Sequence, residues 1–360
     1  MSIAEIPLLV ACLSAMIVTA IGLPLIVKAC KTLNYFDFPD ERKVHRTPVP
    51  RLGGLIFMPA AVVGLFLASW TEVLLGNDEY VFGVSTIAMT FGGLMIYLIG
   101  FIDDRYNMKA SHKFLIQIVA ALLLPMCNLV ITDLNGILGL HEIPFWVGYV
   151  LTVIAILVIV NAINLIDGID GLSSGLCILI LSAYTVVFSE NHAIASLDAA
   201  IVGSLLVFWC FNVFGKVGGL KIFMGDAGSL FLGYVCAYMS IKSLMHPIAP
   251  ENCGEKQMLI SITLLLIPVL DVVRVALQRR FTGHGIFVPD KTHIHHILMK
   301  TGLSMHGALV CILTLFLLIC IINYALWQCH FLMPFIVLMD IAIYTLVWGV
   351  LMLANKSAAE

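Results

Sequence analysis

The chain has 360 residues, of which 61% are hydrophobic and only 11% charged, with a net charge of −3 and a mean hydropathy of +1.04. Soluble domains run near half apolar and a quarter charged, so this composition excludes an ordinary soluble enzyme and indicates an all-α polytopic membrane protein. With a balance so close to neutral, nothing calls for a nucleic-acid partner.

Windows of about 20 apolar residues cross roughly 30 Å of hydrocarbon. Eleven are predicted, near 6–28, 53–71, 83–102, 113–131, 145–164, 173–189, 198–213, 227–246, 258–277, 306–327 and 331–354, all within one integral membrane domain spanning 1–360. If the N-terminus lies outside, 17 of the 19 Lys and Arg fall on the inner side, leaving only Lys242 and Lys256 outside. The positive-inside rule therefore predicts an external N-terminus and a cytoplasmic C-terminus. The first window lacks a basic n-region and reads as a retained span. The ten cysteines are scattered without a C-x-x-C pair and read as small core hydrophobes.

The first inner loop, Phe36 to Gly54, is rich in basic residues, proline and glycine and forms a stiff connector, its cations aimed either at lipid headgroups or at a site. The third window ends in IGFIDDRYNMKASHK, with Asp103 and Asp104 adjacent at the hydrocarbon boundary and Lys113 beyond. Neighbouring carboxylates repel unless a cation or proton lies between them, so a bound metal and a solvated charge pair are the two readings.

The segment NAINLIDGIDGL, Asn161 to Leu172, ends a window that carries no charge from Phe145 to Val160. A charge at bilayer depth costs about 2.5–3.5 kcal/mol even on lenient scales, so Asn161, Asn164, Asp167 and Asp170 mark a site. Recurring every third residue, they would not share one face of a continuous helix. Gly168 and Gly171 predict a helix ending near Leu165 and a turn that folds both carboxylates beneath Asn164.

Further on, FNVFGKVGGLKIFMGDAGS puts Asp226 between two glycines at the mouth of the eighth window, either as an N-cap or as an acidic ligand beside phosphate-favouring N–H groups. The longest inner loop, Arg279 to Lys300, holds Arg279, Arg280, Lys291, His293, His295 and His296. With no cysteine nearby in sequence, imidazoles and guanidinium groups around a phosphate fit better than a structural zinc. Asp271 and Arg274, three residues apart, are placed to pair with each other, and Asp340, inside the last window, to hydrogen-bond another helix.

Acids, bases and imidazoles on one face of the membrane suit a meeting of two polyanions. Mg²⁺ takes one or two protein carboxylates plus phosphate oxygens, and phosphoryl transfer asks mainly for positioning and charge neutralisation. A lipid phosphate with second pKa near 6 is already mostly dianionic and needs no strong base.

IGFIDDR, NAINLIDGIDGL, KIFMGDAGS and PDKTHIHH, together with RKVHRTPVPRLGG, resemble the polyprenyl-phosphate N-acetylhexosamine-1-phosphate transferase family. The likeness is nearest the branch that starts O-antigen, enterobacterial common antigen or teichoic acid synthesis; the H-I-H-H form favours it over the phospho-MurNAc-pentapeptide transferases. The resemblance implies a multi-pass enzyme of the bacterial inner membrane, often dimeric, with its active site on the cytoplasmic face. It implies transfer of N-acetylhexosamine 1-phosphate, GlcNAc foremost, from the UDP-sugar to undecaprenyl phosphate, with release of UMP and with Mg²⁺ or Mn²⁺ as cofactor.

By motif, Asp226 and Asn164 would hold the metal, Asp103 and Asp104 would handle the lipid phosphate, and Lys113 would neutralise charge. Asp167 and Asp170 would orient the nucleotide, with Phe223 stacked on uracil. Arg279, Arg280, His293, His295 and His296 would clamp the diphosphate and sugar. The segment VFGKVGG after Asn212 is longer than the family's short link, which leaves the expected contact of Asn212 with the nucleotide open. Two other classes compete: an ion-coupled transporter, which would place its acids near the midplane and show an inverted repeat, and a CDP-alcohol phosphotransferase, whose longer D-x-x-D-G-x-x-A-R pattern is absent.

Overall fold

The computed structural model describes residues 5–38, 47–76, 82–216, 219–245, 253–281, 283 and 292–357. Its helices are α1 (Ile6–Leu33), α2 (Phe57–Leu74), α3 (Val84–Tyr106), α4 (Ala110–Met126), α5 (Phe145–Ile166), α6 (Leu172–Val187), α7 (His192–Phe214), α8 (Gly225–Leu244), α9 (Cys253–Phe281), α10 (Ile294–Lys300), α11 (Met305–Gln328) and α12 (Met333–Ser357). Each apolar window corresponds to a helix. Among the described residues, however, eight helices are long and apolar enough to cross a membrane; α4 and α6 are shorter, at 17 and 16 residues.

The eighth window, α8, is missing from those eight because of where it sits. Every residue from Ala227 to Ile241 is buried, and α3, α5, α6 and α9 pack around it. A helix enclosed by protein meets no lipid, so it tolerates the serines and glycines that lower its hydropathy. Close approach is part of that packing. A Cβ on Gly100 of α3 would lie 2.6 Å from the backbone N and Cα of Ala227, so the two helices touch through a position with no side chain.

Several boundaries differ from the sequence expectation, among them those of α7 and α4. Helix α7 begins at His192, six residues before the predicted 198, because Asn191 caps it by accepting from the Ile194 N–H at 3.2 Å. Asp198 broke the apolar window but not the helix. Helix α4 begins at Ala110, not 113, and ends at Met126 just after Pro125, so Lys113 is a helical residue.

The basic loop after α1 folds back as a two-residue antiparallel pair, β1 (Phe36–Asp37) and β2 (Val49–Pro50). It brings Arg51 and a 3-10 turn over Gly53–Ile56 against the entry to α8. Hydrogen bonds from the Gly53 N–H to the Phe223 carbonyl (2.8 Å), from Gly54 N–H to Met224 (2.7 Å) and from Phe223 N–H to Pro50 (2.7 Å) lock it there. Lys291 and most of the loop before α10 lie outside the described residues.

Candidate active site

Adjacent residues on a helix diverge by about 100°, so Asp103 and Asp104, at the end of α3, face different partners. The Asp104 carboxylate accepts the backbone N–H of Asp226 at 3.0 Å and of Ala227 at 3.1 Å. These belong to the first turn of α8, whose N–H groups have no helical acceptor and carry the positive end of its dipole. The Arg51 guanidinium lies 3.7 Å from the same carboxylate and bonds the Asp104 carbonyl. Asp104 therefore anchors α8. Gly225, with φ +74°, makes the preceding turn, and a Cβ there would come within 2.6 Å of Asp104 Oδ2.

Asp103 turns the other way. It accepts from the Met108 N–H at 2.7 Å and from Lys113 Nζ at 3.2 Å, while Lys113 also ion-pairs with Asp226. Asn164, near the end of α5, donates to Asp226 Oδ1 at 3.1 Å and to Ser229 Oγ at 2.8 Å. Helices α3, α4, α5 and α8 thus each give a polar side chain to one cluster.

Helix α5 ends at Ile166, one residue beyond the expected stop, and the glycine turn leads into α6. Asp170 is buried and pairs with Lys221 at 2.5 Å. Asn212 accepts the Gly171 N–H at 2.6 Å and donates to the Ile222 carbonyl at 2.9 Å. Through these bonds Asn212 joins the Asp-rich turn to the KIFMGD segment. Half-buried Asp167 stands near Asp226, Asp170 and Asp104; burial first, then those charges, push its pKa up to about 8. Phe223 is half-buried where KIFMGD meets the Pro50 to Gly54 backbone.

The histidines are set by Asp271, one of the buried acids of α9. It accepts from Arg274 (2.7 Å), His293 Nδ1 (2.7 Å), the Ile294 N–H (3.0 Å) and the Tyr344 hydroxyl (3.1 Å). Its pairing with Arg274 was legible; its role as the cap of α10 was not. His295 stacks on His293 with centroids 5.9 Å apart and lies 4.3 Å from the His296 ring. It is buried, neither of its nitrogens has a hydrogen-bond partner among the described residues, and burial lowers its pKa to about 3, so it is neutral. A Cβ on Gly168 would meet the His295 ring, with Cε1 at 2.5 Å, which places the histidine helix against the Asp-rich turn.

A cleft of about 650 Å³ runs between α4, α5, α9 and α10. Its polar end is formed by Lys113, Asn164, Arg279 and the three histidines; its remaining wall is largely apolar, with Phe114, Leu157 and Val272 among the lining side chains. Arg280 is exposed and does not line this cleft, so of the two arginines only Arg279 reaches it.

Among the described residues no three His, Cys, Asp or Glu side chains are grouped as a metal cage. Mg²⁺ asks for less, one or two carboxylates completed by substrate oxygens and water. Asp226 fits that demand: it already holds the Lys113 ammonium that it shares with Asp103, and Asn164 adds an amide oxygen not engaged within the described residues.

Comparison with known proteins fits this arrangement. The family model described as glycosyl transferase family 4 matches residues 86–244. A Bacillus subtilis protein named probable undecaprenyl-phosphate N-acetylglucosaminyl 1-phosphate transferase is 32% identical over 310 residues, 83% of this chain and 79% of that protein. The chain belongs to glycosyl transferase family 4. Among its relatives, a Mycobacterium leprae decaprenyl-phosphate N-acetylglucosaminephosphotransferase is 30% identical over 81% of this chain and 77% of its own. The undecaprenyl-phosphate alpha-N-acetylglucosaminyl 1-phosphate transferase of Escherichia coli O157:H7 is 28% identical over 89% and 84%.

In this glycosyl transferase 4 chain the matched segment holds the Asp103 and Asp104 pair, the Asp-rich turn and Asp226, while the histidine helix lies beyond it. Arg51, Lys221 and Asp271 were not predicted as site residues. The signal for Arg51 was its place in the PRLGG run, and for Asp271 its being a charge inside an apolar window. Among the described residues three other buried acids stand apart from the cluster, one of them Glu72, which lies 2.7 Å from His192 Nδ1. Asp340 accepts from Asn323 at 2.8 Å, the interhelical bond expected of it, and Asp198 has no hydrogen-bond partner for either oxygen among the described residues.

Proposed function

We propose that this protein transfers N-acetylhexosamine 1-phosphate, most directly GlcNAc 1-phosphate, from a UDP-sugar to undecaprenyl phosphate at the cytoplasmic face of a bacterial inner membrane. The observation that carries the reading is the cleft itself: a cation and amide cluster closes one end of a channel whose wall, formed by apolar helices, suits an isoprenoid tail. A lipid that bears a phosphate has that polarity. The names of the relatives, which pair a polyprenyl phosphate with an N-acetylglucosaminyl phosphate, supply the substrates.

In the reaction an oxygen of the lipid phosphate attacks the phosphorus next to the sugar. The bond from that phosphorus to the bridging oxygen breaks, and UMP leaves with the electron pair. Lys113, between Asp103 and Asp226, neutralises the negative charge that two phosphates bring together. Arg279 contributes a further donor at the same end of the cleft, where His293 and His296 also stand. Asp226 and Asn164 would hold Mg²⁺, which when bound offsets charge on the diphosphate oxygens. Asp170, fixed by Lys221, and Phe223 border the nucleotide side, and Asp104 with Arg51 keeps the first turn of α8 in place.

The orientation follows the distribution of Lys and Arg, with the N-terminus outside and the charged cluster inside. All eleven long helices cross the bilayer in this reading, α8 being enclosed by its neighbours. Purified protein in micelles with undecaprenyl phosphate, UDP-GlcNAc and Mg²⁺ will release UMP and form a lipid-linked sugar diphosphate. No UMP from any UDP-hexosamine would return the protein to the transporter class.

A further inference from the structure

One turn deeper than the charged cluster, the cleft wall holds a pair of amides. Gln117 lies four residues beyond Lys113 on α4, and Asn161 three residues before Asn164 on α5, so both sit about 5 Å further along their helices, toward the apolar interior. Both line the cleft, where their neighbours include Phe114, Leu157 and Val158.

The hydrogen bonds determine which way the amides face. Asn161 Nδ2 donates to the Leu157 carbonyl at 2.8 Å, and a carbonyl can only accept, so the nitrogen is assigned. The same Nδ2 donates at 2.8 Å to Gln117 Oε1, which turns the other end of Gln117, its NH₂ group, away from Asn161. Gln117 is 1% exposed, and its Nε2 has no hydrogen bond among the described residues. Nε2 is not among the fully enclosed unsatisfied atoms, so it opens on the cleft, and an unpaired donor in that largely apolar wall marks a position where bound ligand supplies an acceptor.

We propose that Gln117 Nε2 donates a hydrogen bond to the bridging ester oxygen of the polyprenyl phosphate, and that Asn161 holds it in position to do so. This rests on the transferase reading above. Lys113, at the polar end of the cleft, meets the non-bridging oxygens; the ester oxygen is the next acceptor toward the tail, and beyond it the lipid offers only carbon and hydrogen. Gln117 is in this way a gauge of depth: it is satisfied only when the phosphate is seated against the charged cluster and the tail runs inward.

The test compares two lipids and two variants. Dissociation constants of undecaprenyl phosphate and of its phosphonate isostere, in which CH₂ replaces the ester oxygen, are measured by titration in micelles, with KM for both substrates measured alongside. Gln117→Met weakens binding of the phosphate about fivefold, the effect of one hydrogen bond, and leaves the phosphonate unchanged. KM for the UDP-sugar stays the same. Gln117→Glu keeps the acceptor for Asn161 but replaces the free donor with an anion; it weakens the phosphate more than Met does and serves as the probe if the Met variant fails to fold. An equal loss for phosphate and phosphonate, or a matching rise in KM for the UDP-sugar, overturns the proposal. Because binding is read directly, wild-type protein that binds lipid but releases no UMP counts against the transferase reading alone.

Discussion

Replacing Asp271 with asparagine separates the placement of the histidine helix from the chemistry of His293. Three of the four donors to Asp271, those from Arg274, Ile294 and Tyr344, converge on Oδ1, whereas His293 Nδ1 bonds Oδ2. An asparagine oxygen at the Oδ1 position keeps three bonds, and its NH₂ group then faces His293. A carboxylate only accepts, so in the native protein His293 carries its proton on Nδ1 and presents Nε2 to the cleft. With asparagine the neutral imidazole must accept at Nδ1, and the proton moves to Nε2.

Stability should fall by about 1–3 kcal/mol, the loss of charge in the bond to Arg274. Asp271→Ala, which removes every acceptor and leaves the half-buried Arg274 without its carboxylate, should cost about 3–5 kcal/mol. For the Asn variant, UMP release should drop by about 10²-fold, the lower end for a misplaced proton at an imidazole lining the site. Thermal unfolding in micelles and single-turnover UMP release measure the two effects on the same samples. An Asn variant that melts as expected and turns over at the native rate refutes a role for the proton on His293.

Two more perturbations address the acids. Lys113→Met removes the cation shared by Asp103 and Asp226; turnover is expected to fall at least 10²-fold, while Mg²⁺ raises the melting temperature more than it does in the native protein, and an unchanged Mg²⁺ shift would contradict the shared-cation geometry. For Asp167, a folded-state pKa of about 8 lies above the unfolded value near 4, so the folded state binds the extra proton between those values. Stability of the protein in EDTA should therefore fall as pH rises from about 4 to about 8, and Asp167→Asn should flatten that slope; a slope unaffected by the substitution refutes the assignment.

What could be read from the sequence follows from the solvent. Asn164, Asp167, Asp170 and Asp226 stand out because lipid makes polar side chains expensive, and their placement in one cluster needed only the rule that such residues find one another. The split between Asp103 and Asp104 could not be read, since it depends on which side of α3 meets α8. The same holds for Asn212, whose amide joins two motifs far apart in sequence, and for Gln117, an unremarkable residue in an apolar window until α5 supplies Asn161 beside it. The start of α7 was set late for the opposite reason: the window near 198 begins at Asp198, which lies wholly inside a helix that the Asn191 cap extends to His192.

The account depends on Asp226 and its neighbours working at phosphorus, and a Mg²⁺ titration of UMP release by Asp226→Asn beside the native protein tests that most directly. The prediction is native turnover that saturates with Mg²⁺ and a folded variant at least 10³-fold slower at every concentration. A variant that reaches the native rate when Mg²⁺ is raised or lowered would contradict it.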